Sequence, residues 1–273
     1  MMSSTIFYLL FSATVEEYQQ KYSAQRAAHI ATQYAIERIE LAPRRVYPSS
    51  NISDAQFEKQ FNKSFNGSNF YCFKGASAGF AIYRLRSPNA FDGYKSLALK
   101  TARFLLLDPR KEELLQEFAK SNLRSKVNEV NTFTQQAIKD EVDNVQKEIY
   151  MSILGVYHLR CLDILHDIDI SFHDEFVFFR SEIFANGIFI SYYNGSKTFP
   201  GSMYYDESSG IYQAYRRNFD FCRKKGERQF SLKGLSENKD ITEILQHLNC
   251  KYSLNELELG IAKQAQAYSK KIN

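Results

Sequence analysis

The chain has 273 residues, 44% hydrophobic and 24% charged, the composition of a folded globular protein with room for one large or two small domains. Its 22 Phe and 18 Tyr against only 5 Pro and 12 Gly exclude collagen-like, linker-dominated and low-complexity architectures. The 35 Lys and Arg against 31 Asp and Glu leave a formal charge of +4, too small for net charge alone to argue for a nucleic-acid partner.

The apolar run over residues 5–12 lacks the basic flank of a secretory signal and falls far short of the ~20 residues a spanning helix needs. No transmembrane span and a cytoplasmic location are the expectations. Cys72, Cys161, Cys222 and Cys250 form no C-x-x-C pair, so reduced thiols are expected rather than a zinc or redox centre, and neither a metal nor a cofactor is implied. Thr14 and Glu17 have capping-box spacing, and the following residues to Leu41 contain no Gly or Pro but many alanines. The pattern predicts a long helix whose small residues admit a second helix, and hence a homo-oligomer or a protein partner docked on it. Pro43 and Pro48 bracket a basic connector over 44–47, so residues 1–50 read as an N-terminal extension.

From residue 51 short elements alternate. A helix is predicted over 53–65, a strand over 69–74, a glycine turn over 75–79, a second helix from Phe80, and a strand over 102–107 that runs into Asp108 and Pro109. An unbroken apolar strand is what a sheet covered on both faces needs, so a parallel α/β sheet is expected. Helices over 111–120 and 132–165 follow, the second with Ile138, Val142, Val145, Ile149, Ile153 and Val156 on one face. Strands are then expected over 169–173, 176–184 and 188–193, the last two joined through Asn186 and Gly187 as a hairpin. A helix over 209–225, closed by Gly226, is followed by helices from Asp240 and from the capping box of Ser253 and Glu256. Residues 51–228 thus form the α/β domain and 229–273 a helical extension.

The hairpin carries the most information. Phe178 and Arg180, then Ala185, then Ser191 and Asn194 follow the spacing of His-x-Lys, Asp, Ser and Asn in the phospholipase D signature, and Leu105, Leu106, Leu107, Asp108 and Pro109 precede it. The segment 51–228 resembles the divergent phospholipase D-like domains of uncharacterised bacterial proteins. The resemblance implies a sheet flanked by helices and a phosphate-binding pocket, with a setting in bacterial signalling or defence. The departures imply a pseudo-enzyme, because the family's reaction needs a histidine nucleophile and a histidine acid, and Phe178 supplies neither. Arg180, Ser191 and Asn194 could still hold a phosphate, with Glu182 on the same strand face as Arg180.

Three further groups are candidates. Lys74 and Ser77 flank a strand-to-helix turn whose free amides could accept an anion, and Asp108 and Arg110 leave the carboxyl end of the neighbouring strand, where open α/β sheets bind ligands. Arg216, Arg217, Arg223, Lys224 and Lys225, interleaved with Tyr215, Phe219 and Phe221, form a basic cluster that suits nucleic acid, or equally a helix C-terminus with its aromatics turned inward. The expected function is non-catalytic recognition of a phosphate-bearing ligand, a nucleic acid or a protein partner. The alternatives are a phosphodiesterase or nuclease with a non-standard site around Arg180, Glu182, His173 and Asp108, or a structural subunit of a larger complex.

Overall fold

A computed structural model describes residues 41–47, 55–86, 99–126, 133–162, 165, 167–176, 179–192, 201–228, 230–236 and 239–272. The helix read over 14–41 lies outside the described residues except at Leu41, as do Phe178 and Asn194. The chain divides into two compact units, 1–42 and 43–273.

Among the described residues the second unit is built on seven strands, β1 (Arg45–Tyr47), β2 (Phe70–Gly75), β3 (Thr101–Leu107), β4 (Asp167–His173), β5 (Phe179–Phe184), β6 (Gly187–Tyr192) and β7 (Ser202–Asp206). They pair in the order β1-β7-β6-β5-β2-β3-β4. The α/β class holds, but the sheet is mixed rather than parallel. β2, β3 and β4 run parallel, while β5, β6, β7 and β1 join by antiparallel pairs. The connections explain the division. A helix crosses over between β2 and β3, whereas Phe184 pairs with Gly187 across Ala185 and Asn186, a link short enough only for antiparallel neighbours. β1 and β7 escape the sequence pattern because they are short and are defined by backbone pairing to a neighbour rather than by alternation of their own.

Helices α1 (Ala55–Asn66), α2 (Gly79–Arg86), α3 (Glu112–Lys126) and α4 (Gln135–Cys161) precede β4, and α5 (Gly210–Glu227), α6 (Leu232–Ser236), α7 (Ile241–His247) and α8 (Leu254–Ile272) follow β7. α1 places Phe57, Phe61 and Phe65 one turn apart on its buried face, and Phe61 meets Phe184 edge-on at 5.1 Å. α2 and α8 both pack on α4, so one side of the sheet carries a thick helical layer. The opposite side is closed by α5, whose Tyr212, Phe219 and Cys222 pack over Leu105, Ile183, Ile188 and Ile190. Thr134, Ser209 and Asp240 cap α4, α5 and α7 by accepting backbone N–H groups, and Ser253 and Glu256 form the capping box of α8.

Gly226 does not end α5, which continues to Glu227. A β-carbon there would lie 2.1 Å from the Phe172 carbonyl oxygen, so the glycine lets the helix backbone rest directly on β4. Beyond α5 the chain turns along the outer edge of β4. Phe230 stacks on Phe172 at 4.4 Å, Ser231 forms an isolated antiparallel bridge with Ser171, and the Asp169 carboxylate accepts the Ser231 hydroxyl and the Lys233 N–H, each at 2.7 Å. Among the described residues no helix is long and apolar enough to cross a membrane.

Candidate functional site

The carboxyl ends of β2, β3 and β4 and the start of β5 form one edge of the sheet, where the sequence candidates gather. The pairing register sorts them by face. Lys74 sits opposite Ser181, Phe73 opposite Glu182, and Arg180 opposite Ser191. Because side chains alternate along a strand, Lys74 and Ser181 look toward α5, while Arg180, Glu182 and Ser191 look toward α1, α2 and α4. The sheet therefore separates Lys74 from Arg180.

On the Arg180 side, Ser77, Glu148, Arg180, Glu182, Gln264 and Tyr268 line a cavity of about 100 Å³. Glu182 is buried, and its Oε2 accepts the Tyr71 hydroxyl at 2.7 Å and Arg84 Nη1 at 3.3 Å. Its Oε1 lies 3.7 Å from Arg180 Nε. Burial draws Arg84 down to about 10 against the opposing pull of Glu182, and burial together with the Glu182 charge holds the Tyr71 phenol well above its ordinary value. The Arg84 guanidinium also lies over Phe61 at 3.7 Å and Phe80 at 4.1 Å.

The turn before α2 is engaged by the protein itself. Ser77 donates to Glu148 at 3.0 Å, the Ala78 N–H donates to Ser152 Oγ at 3.0 Å, and the Ala78 carbonyl accepts the Ile82 N–H. From α8, Tyr268 packs on Phe80 and Tyr83 at 5.0 and 5.4 Å, and burial with the nearby Glu148 pushes its hydroxyl up to about 12. Ser191 is fully buried, donates to Ser202 Oγ at 2.9 Å and does not line this cavity.

Asp108 and Arg110 form a closed turn. The buried carboxylate accepts the Arg110 N–H at 3.0 Å, Nε at 2.8 Å and Nη2 at 2.8 Å, which raises the guanidinium further above its ordinary value.

On the α5 side, Lys74 Nζ donates to Glu175 Oε2 at 2.6 Å and Asn218 Oδ1 at 2.9 Å, and lies 3.5 Å from Cys222 Sγ. The Cys222 thiol donates to Glu175 Oε1 at 3.1 Å, and burial followed by this bond raises its pKa. Glu175 is held low by Lys74 and Cys222 although partial burial opposes them. His173 is buried beside this cluster, with Nδ1 3.1 Å from the Glu175 carbonyl and Nε2 3.2 Å from the Gly75 carbonyl; burial and Lys74 press it down to about 4. Lys74, Ser181 and Asn218 share with Phe176, Phe179 and Tyr215 a second cavity, of about 430 Å³.

Sequence reading found Lys74 but missed Glu175, Ser181, Asn218 and Cys222. The helical spacing of Asn218 and Cys222 marks them as neighbours on α5, but only the strand register shows that they meet Lys74.

The basic cluster is largely engaged. Arg216 donates to the Tyr212 hydroxyl at 3.0 Å and lies 4.7 Å from the Phe70 ring, Arg217 donates to the Gln213 carbonyl, Arg223 pairs with Glu227 at 2.5 Å, and Lys225 pairs with Asp174 at 2.9 Å. Lys224 is exposed. Among the described residues no group of three or more His, Cys, Asp or Glu side chains is arranged to hold a metal ion. Compared with models of protein families, with curated proteins and with solved structures, the chain matches none.

Proposed function

We propose that the protein is a non-catalytic recognition protein of phospholipase D-like ancestry, which binds a phosphate-bearing ligand, a nucleic acid or a protein partner. The observation that carries the reading is the chemistry of the Arg180 cavity. Its lining contains no imidazole, and Arg180, Arg84, Tyr71 and Glu182 are arranged around one another rather than around an empty acid–base pair. Phosphoryl transfer needs a nucleophile and a proton donor for the leaving oxygen, and with Phe178 and Ala185 at the signature positions binding is what remains.

Hydrolysis of bis(p-nitrophenyl) phosphate tests the reading. Turnover should equal the buffer rate for both the parent protein and Arg180→Ala; turnover that depends on Arg180 overturns it. In the same reading the alanine-rich segment 14–41 supplies an assembly surface. Removing residues 1–42 should lower the oligomeric state measured by light scattering while the remaining unit still melts cooperatively.

A further inference from the structure

The cavity of about 430 Å³ between β5 and α5 lies on the opposite face of the sheet from Arg180 and has the size and lining of a small-molecule site. Phe176, Phe179 and Tyr215 supply aromatic walls. Ser181, 3% exposed, lines the cavity.

The other polar groups are of both kinds. The Asn218 Nδ2 amide can donate, and the partly exposed Glu175 carboxylate can accept. A donor and an acceptor in a cavity with aromatic lining suit the polar edge and flat faces of a heterocyclic base better than an aliphatic acid, whose charge Glu175 would repel. The rim extends the match. On α5, Arg217 lies one turn from Ala214 and Phe221, 69% exposed, one turn from Asn218, and Ala214 and Asn218 both line the cavity. A cation and an exposed ring at such a mouth suit a backbone phosphate and a neighbouring base.

We infer that this cavity binds a nucleobase, carried by a free nucleotide or by single-stranded nucleic acid. Calorimetric titration of the full chain with AMP, CMP, GMP and UMP, with single-stranded homopolymers of the same bases, and with inorganic phosphate tests it. At least one base should bind, and inorganic phosphate should not compete with it. Ala214→Trp, which fills the cavity from the exposed side of α5, should abolish binding with an unchanged melting temperature. Asn218→Ala should weaken it about tenfold. Arg180→Ala should leave it intact, so that this inference and the proposed function fail independently. Equal affinity for mononucleotide and homopolymer assigns the site to a nucleotide. Binding of the homopolymer alone, weakened by Phe221→Ala, assigns it to a single strand. No heat with any base at millimolar concentration, or binding indifferent to both Ala214→Trp and Asn218→Ala, overturns the inference.

Discussion

Arg84 and Glu182 meet 3.3 Å apart with side chains 7% and 2% exposed, the most deeply buried ion pair among the described residues. Glu182 is compensated first by Arg84 and Tyr71, and only then by Arg180 at 3.7 Å. Replacing Arg84 by Met should therefore cost ~3–5 kcal/mol, because it strands a buried carboxylate. Arg180→Ala, removing a partly exposed and more distant charge, should cost under ~1 kcal/mol. Urea denaturation of the two variants measures both, and equal losses would assign the compensation to Arg180 instead.

Much of this arrangement is visible in the sequence, and what is not has a physical cause. The strands over β2, β3 and β6 and the helices α4, α5 and α8 follow from apolar periodicity and caps, which are local. That Arg180 and Glu182 share a face is likewise local. That Arg84 reaches Glu182, and that Lys74 reaches Glu175 and Asn218, depends on which strands become neighbours, and no local pattern encodes that. Asp108 and Arg110 show the converse. Two residues apart, they satisfy one another within their own turn, so strand-end position alone overstated their availability to a ligand.

The buried His173 makes stability depend on pH. Its pKa in the fold is about 4 against a reference value of 6.5, so between these values the unfolded chain takes up a proton that the native state does not. Stability should be greatest above pH 6.5 and fall as the pH drops toward 4, by up to ~1.4 kcal/mol per unit. Half-buried His158 is shifted in the same direction and contributes in the same window. Denaturation midpoints at pH 7, 6 and 5 should decline for the parent and decline less for His173→Gln. Parallel slopes would assign the effect elsewhere.

Two glycines separate rigid from yielding contacts. At Gly226 a β-carbon would meet the backbone of Phe172 at 2.1 Å, whereas at Gly260 in α8 it would meet the Met151 sulfur at 2.3 Å. Backbone cannot step aside without moving β4, but a methionine side chain can. Gly226→Ala should cost ~1–3 kcal/mol or more, while Gly260→Ala should be near neutral, the better helix propensity of alanine offsetting the shift. Thermal melts of the pair, with comparable losses at both sites as the contrary result, check this.

A sheet that does not close on itself has two open edges, and each exposes main-chain groups to which a strand from another molecule can add. One edge, β1, is only three residues long and starts with an exposed arginine, too short a template for stable addition. The other, β4, is seven residues long and buried except at the partly buried Asp167, and among the described residues the segment from Phe230 to Lys233, fastened through Asp169, lies along it. Fastened there, the segment occupies part of the edge to which a second strand could otherwise add. Asp169→Ala should release the segment and increase fibre formation under shaking, measured by thioflavin fluorescence, well before the melting temperature of the fold is reached.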